Sequence, residues 1–90
     1  MKVRWCVEKD RVLKYQRGVS FKEMLRYRRV AIVDNPKRPG QQKMLFEYEG
    51  YIWVVPFVAH GDEIFLKTMY PCRKYTKLYR GEIEDEKEED

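Results

Sequence analysis

The chain has 90 residues, 43% of them hydrophobic and 14% aromatic, and a formal net charge of +4. This length allows one domain with a thin core, and the apolar share is that of a globular rather than a disordered protein. Two cysteines and one histidine are too few for a disulfide scaffold or a thiolate zinc site, and no apolar run approaches the ~20 residues of a membrane span, so the expectation is a cytoplasmic protein with reduced thiols and no membrane partner.

The net charge conceals a segregation. Glu82–Asp90 holds seven acids and one lysine, a net of −6, whereas residues 1–81 hold eighteen Lys and Arg against eight acids, a net of +10. The reading is a single domain over 1–81 followed by an acidic, disordered tail over 82–90. The opening MKVRWCVEKD has no apolar stretch of signal-peptide length.

Val3–Val7 can form a short first strand. Glu8–Arg17 is predicted helical, with Val12 and Leu13 facing inward and Gly18 as the left-handed C-terminal cap. Ser20 and Glu23 make a capping box for a second helix. Val19 and Met24 stand where a hydrophobic staple would close it, and Phe21, Met24 and Leu25 form its buried stripe as far as about Arg29. Val30–Val33 is β-branched enough for a strand. Asp34–Gln42 is a loop by its Asn, Pro and Gly content, and it carries Lys37 and Arg38.

From Lys43 the period becomes two. Met44, Phe46 and Tyr48 point one way, and Lys43, Glu47 and Glu49 the other. Gly50 marks a turn into Tyr51–Val58, an apolar strand covered on both faces. Pro56 within it predicts a bulge or a locally unpaired edge. Ala59–Asp62 turns into a last strand, Glu63–Tyr70, with Ile64, Leu66, Thr68 and Tyr70 on one face. Pro71 suits the first position of a helix running to about Arg80. That helix would carry Arg73, Lys77 and Arg80 in one stripe and Cys72, Tyr75 and Tyr79 on a neighbouring face. The fold class is α+β: two N-terminal helices on a sheet of four or five mainly antiparallel strands, with a C-terminal helix.

The cations gather on the first helix (Lys9, Arg11, Lys14, Arg17), over residues 22–29, in the 37–43 loop and over residues 67–80. The last group is interleaved with Tyr70, Tyr75 and Tyr79. Basic side chains hold phosphates and aromatic rings stack on unpaired bases, so the mix points to single-stranded RNA. Lys14, Lys37, Arg38, Lys74, Lys77 and Arg80 are the candidate RNA contacts. No helix-turn-helix or zinc-finger signature supports DNA readout by this chain.

Two segments carry a family resemblance. Arg17-Gly18-Val19-Ser20-Phe21 resembles the K-H-G-[VI]-S-F turn of BrnT-type toxins. Tyr70-Pro71-Cys72-Arg73-Lys74-Tyr75-Thr76-Lys77 resembles their later I-S-A-R-K-A-T-K motif. The resemblance spans most of residues 3–80. It implies a RelE-like fold and a ribonuclease toxin of a type II toxin–antitoxin pair, cleaving RNA that includes ribosome-bound message. It implies also a small cognate antitoxin, commonly a ribbon-helix-helix protein. The sequence departs from the pattern: Gln16 and Arg17 replace the Lys-His of the turn, Tyr70-Pro71-Cys72 replaces I-S-A, an arginine of the last strand falls at Thr68, and a glutamate of the final helix falls at Tyr79.

RNA can be cleaved by its own 2′-hydroxyl, which calls for neither metal nor cofactor. The enzyme must orient that group, stabilise the phosphorane and protonate the leaving oxygen. Arg73 is the first choice for charge stabilisation, since a guanidinium grips two phosphate oxygens at once, with Lys67 and Arg17 in support. Tyr70 and Tyr79 are the candidate general acids, ahead of His60, which falls in a predicted turn. The alternative is a non-catalytic RNA- or protein-binding module of the same fold.

Overall fold

The computed structural model describes residues 2–82. The expectation of a disordered tail falls on residues 83–90, outside that range, while Glu82 closes a 3₁₀ turn, Arg80–Glu82.

The chain forms β1 (Lys2–Trp5), α1 (Val7–Arg17), α2 (Phe21–Met24), β2 (Arg28–Asp34), β3 (Gln41–Tyr48), β4 (Tyr51–His60), β5 (Glu63–Leu66), β6 (Tyr70–Pro71) and α3 (Arg73–Leu78). The sheet order is β1-β5-β4-β3-β2, with β6 pairing the far part of β4. β1 runs parallel to β5, and the remaining pairs are antiparallel. The sheet is therefore mixed and six-stranded, against the expected four or five.

Alternation along β3 and β4 divides the core. Met44, Phe46, Trp53, Val55 and Phe57 face one way and pack with Leu13 of α1 and Phe21 and Met24 of α2. Leu45, Ile52 and Val54 face the other way and pack with Tyr70, Cys72, Tyr75 and Tyr79. With a side-chain period of two, these are the two faces of the sheet. The two N-terminal helices cover one and α3 covers the other.

The helical hairpin is fixed by local chemistry. Gly18 takes φ +82 and its N–H donates to the Lys14 carbonyl, closing α1. The Ser20–Glu23 capping box is complete, and Asp10 Oδ1 accepts the Phe21 N–H at 2.8 Å. Lys14 Nζ donates to both Glu23 carboxylate oxygens, at 2.9 and 3.0 Å. Three expectations fail here. Val7 opens α1 instead of ending β1. Val12 is 46% exposed, and only Leu13 of the pair is buried. α2 is a single turn, because the Arg26 and Tyr27 N–H groups bond three residues back and the chain then straightens into β2 at Arg28, inside the segment read as helix.

The last predicted strand also breaks. β5 stops at Leu66, and the Lys67 N–H donates to the Pro56 carbonyl at 2.8 Å. Pro56 lies opposite Lys43 of β3, and a strand residue turns its N and its carbonyl to the same side. Its missing donor thus faces the gap between β5 and β6, where no ladder bond is lost. The break changes the alternation. Met69 is fully buried with the α1 face, and Tyr70 turns to the α3 face, not to that of Ile64 and Leu66. Pro71 pairs with Trp53 in β6, so α3 starts at Arg73 rather than at the proline.

Candidate functional site

One hydroxyl joins α3 to the sheet, in addition to the packing of Tyr75 and Tyr79. Thr76 Oγ1 donates to the Cys72 carbonyl at 2.7 Å and accepts the Ile52 N–H at 2.9 Å. β6 has only two residues, and the Cys72 N–H still donates to the Ile52 carbonyl. The threonine supplies the ladder acceptor that β6 is too short to provide. Tyr75 and Tyr79 then lie on the sheet with ring centroids 6.4 Å apart.

Between α3 and the β2–β3 loop lies a groove of about 370 Å³, lined by Asn35, Pro36, Lys37, Arg38, Lys43, Tyr70, Cys72, Lys74 and Tyr75. Four of the nine are cationic, two are tyrosines, and none is a carboxylate. Lys43 projects from β3 with its Nζ 5.1 Å from the centre of the Tyr75 ring. Among the described residues it forms no ion pair. The residue is half-buried, and an ammonium held over an aromatic face with no counter-charge among the described residues is suited to receive an anion.

The loop holds its charges in place. The Asn35 N–H donates to the Gln41 carbonyl, the Arg38 N–H to the Asn35 carbonyl and the Gln41 N–H to the Arg38 carbonyl. The Asn35 amide bonds the Gln41 side chain at 2.9 Å, and the Lys37 N–H donates to Asn35 Oδ1. Pro36 and Pro39 restrict φ further. Lys37 and Arg38 are carried on a loop already in one shape.

The sequence-predicted residues separate into groups. Tyr70, Lys74, Lys37 and Arg38 line the groove. Arg73, the neighbour of Lys74, is exposed on α3 and is not among the lining residues, nor are Lys77 and Arg80. Tyr79 packs against the sheet with Tyr75. Lys67 sits at the β5 break with its Nζ 5.3 Å from the centre of the Phe65 ring. His60 ends β4 opposite Glu63, exposed and away from the groove. Arg17 and Lys14 belong to α1, which covers the other face. Their end of α1 is tied by Lys14 to Glu23 of α2, and the chain leaving α2 packs Tyr27 on Tyr48 beside the β3–β4 turn, whereas the groove meets β3 at its opposite end. Arg17 therefore does not join Arg73 and Lys67 in one constellation.

Lys43, which enters the sequence reading only as the end of the 37–43 basic cluster, lines the groove as well. The available signal was a lysine at an interior position of β3, facing the apolar strand that carries Pro56.

The same architecture occurs in a solved structure, that of the Brucella abortus ribonuclease toxin BrnT, with a TM-score of 0.53 and 18% sequence identity, over 80% of this chain and 96% of that one. The fold of this chain is BrnT-like. The α+β reading is thereby shown, and so is the BrnT-type resemblance at the level of fold. No family model matches the sequence, and no curated protein does.

Proposed function

We propose that the chain is a ribonuclease toxin of a toxin–antitoxin pair, and that the groove between α3 and the β2–β3 loop is where it holds RNA. The observation that carries this reading is the lining itself: Lys37, Arg38, Lys43 and Lys74 around Tyr70 and Tyr75, with no carboxylate. Such a site suits a phosphodiester flanked by unpaired bases. The ribonuclease toxin whose fold it shares supports the same reading.

The chemistry follows from the residues present. The RNA 2′-hydroxyl gives up its proton to solvent water as its oxygen attacks the adjacent phosphorus, the bond to the 5′-oxygen breaks, and the products are a 2′,3′-cyclic phosphate and a 5′-hydroxyl. Lys43 and Lys74 stabilise the charge that builds on the phosphorane. Lys37 and Arg38 hold a neighbouring phosphate and so fix the register of the strand. Tyr70 is the group in the groove able to pass a proton to the leaving oxygen. Arg73 acts beside the groove on the next phosphate along, with Lys77 and Arg80 following it. The partners are RNA, naked or presented on a translating ribosome, and a cognate antitoxin of ribbon-helix-helix type that covers this surface.

Incubation of the purified protein with RNA tests the reading, beside Lys43→Ala and Arg73→Ala. Removing one charge-stabilising group is expected to slow cleavage about 100-fold. Lys43→Ala should lose the most, with Arg73→Ala intermediate. Cleavage that is indifferent to Lys43 would move the site elsewhere. RNA bound at the groove but never cut would favour the binding module.

A further inference from the structure

A second cleft lies on the opposite face of the sheet, between α1 and α2. It encloses about 510 Å³ and is lined by Arg11, Lys14, Tyr15, Lys22 and Arg26 together with Asp10, Ser20 and Glu23. Both of its acids are already engaged. Asp10 accepts the Phe21 N–H, and Glu23 accepts from Lys14 and from the Ser20 N–H. Arg11, Lys22 and Arg26 form no ion pair among the described residues. Tyr15 stands beside them 90% exposed, which neither packing nor a hydrogen bond within the described residues accounts for.

We propose that this cleft is a second single-stranded RNA-binding site, in which a base stacks on Tyr15 and Arg11 and Arg26 hold the phosphates on either side of it. The inference rests on the reading that the chain acts on RNA, and it adds a surface that carries the strand beyond the groove. Its composition favours a polyanion with flat rings over a protein segment. The apolar surface of the lining is the Tyr15 ring and the methylene stems of its lysines and arginines rather than Val, Leu or Ile side chains, and an open aromatic ring among guanidinium groups is the arrangement by which single strands are held without sequence preference. The hairpin that shapes the cleft is rigid, tied by the capping box, the Lys14–Glu23 pair and the Asp10–Phe21 bond. The strand therefore meets a surface that is already formed.

The test compares binding of 2′-O-methyl RNA, which cannot be cut by its own 2′-oxygen, at lengths of about six and about thirty nucleotides, the shorter being of the order of one site. The variant is Tyr15→Ala with Arg11→Ser and Arg26→Ser, all at exposed positions. Its circular dichroism and melting should match the wild type. The long RNA should bind the wild type much more tightly than the short one, and the variant should lose at least about tenfold of that advantage. The salt dependence of long-RNA binding should fall by about 1.4 units of slope, about 0.7 for each of the two phosphate contacts removed, with cleavage of a short substrate unchanged. Long-RNA affinity equal in variant and wild type would overturn the cleft's role and leave the groove standing. Binding of poly-glutamate as tight as that of RNA, unaffected by the loss of Tyr15, would overturn it in favour of a merely basic or acidic-protein-binding surface. Failure of the wild type to bind either RNA would overturn the groove's reading and this one together.

Discussion

Replacing Thr76 by valine keeps the shape of the side chain and removes its hydroxyl. The Cys72 carbonyl would keep a partner, because the Thr76 backbone N–H also donates to it at 3.0 Å. The Ile52 N–H would not. It belongs to a fully buried residue of β4, and its acceptor is the lost oxygen. An orphaned buried donor costs about 1–3 kcal/mol. In a domain of this size each kcal/mol moves the midpoint by about 4–8 °C, so Tm should fall by roughly 5–20 °C. Thr76→Ser keeps the hydroxyl and should lie close to wild type. Because the threonine also sets α3 on the sheet, the valine variant should bind short RNA more weakly well below its Tm. Thermal melting by circular dichroism, with RNA titrations at low temperature, reads both effects. A valine variant that melts with the wild type, or a serine variant that melts as low as the valine one, would refute the claim that this hydroxyl stands in for a missing strand.

Three further outcomes follow from other parts of the chain. The Lys14 ammonium, and after it the Ser20 N–H, hold the Glu23 carboxyl below its ordinary value of 4.5. A lowered folded-state value means that the contribution is present above the ordinary value and lost as the pH falls through the folded one. Glu23→Gln should therefore lower Tm at neutral pH and flatten its decline in acid, and identical acid limbs in the two proteins would contradict this. In the β3–β4 turn Glu49 has φ +54 beside Gly50 at φ +77, the two positive values that a type I′ turn requires. Glu49→Asn should raise stability by up to about 1 kcal/mol in urea unfolding, and a destabilised variant would count against the turn. Removing residues 82–90 takes away a net −6 and should raise RNA affinity at low salt, converging with the full chain at high salt; equal affinity at low salt would show that the acids do not screen the basic body.

What the sequence disclosed was mostly local. The Ser20–Glu23 box, the Gly18 cap and the alternation of Met44, Phe46 and Tyr48 each depend on neighbours a few residues away, and each stands in the structure as expected. Pro56 was legible as a defect in the ladder. Which strand gave way was not, because that depends on how β5 and β6 divide their pairing along β4, which nothing local to Pro56 encodes. The end of α2 was misread for a similar reason: Tyr27 packs edge-on to Tyr48 at 4.7 Å, and the cross-strand contact of Arg28 with Glu47 at 3.0 Å draws the segment into the sheet. The candidate site was half visible. Lys37, Arg38, Tyr70 and Lys74 follow from charge and aromatic clustering, but the pairing of Lys43 with Tyr75 joins residues 32 positions apart. Arg17 was grouped with Arg73 by charge alone, and the sheet that lies between them has no signature in charge.

In the proposed function the groove around Lys43 cuts RNA without help from a metal. The most direct measurement is incubation of RNA with the protein in excess chelator, naked and in a translating extract, followed by analysis of the new ends. The wild type should leave 2′,3′-cyclic phosphates and 5′-hydroxyls in at least one setting, and Lys43→Ala should not. Intact RNA in both settings, or ends bearing 5′-phosphates, would contradict it.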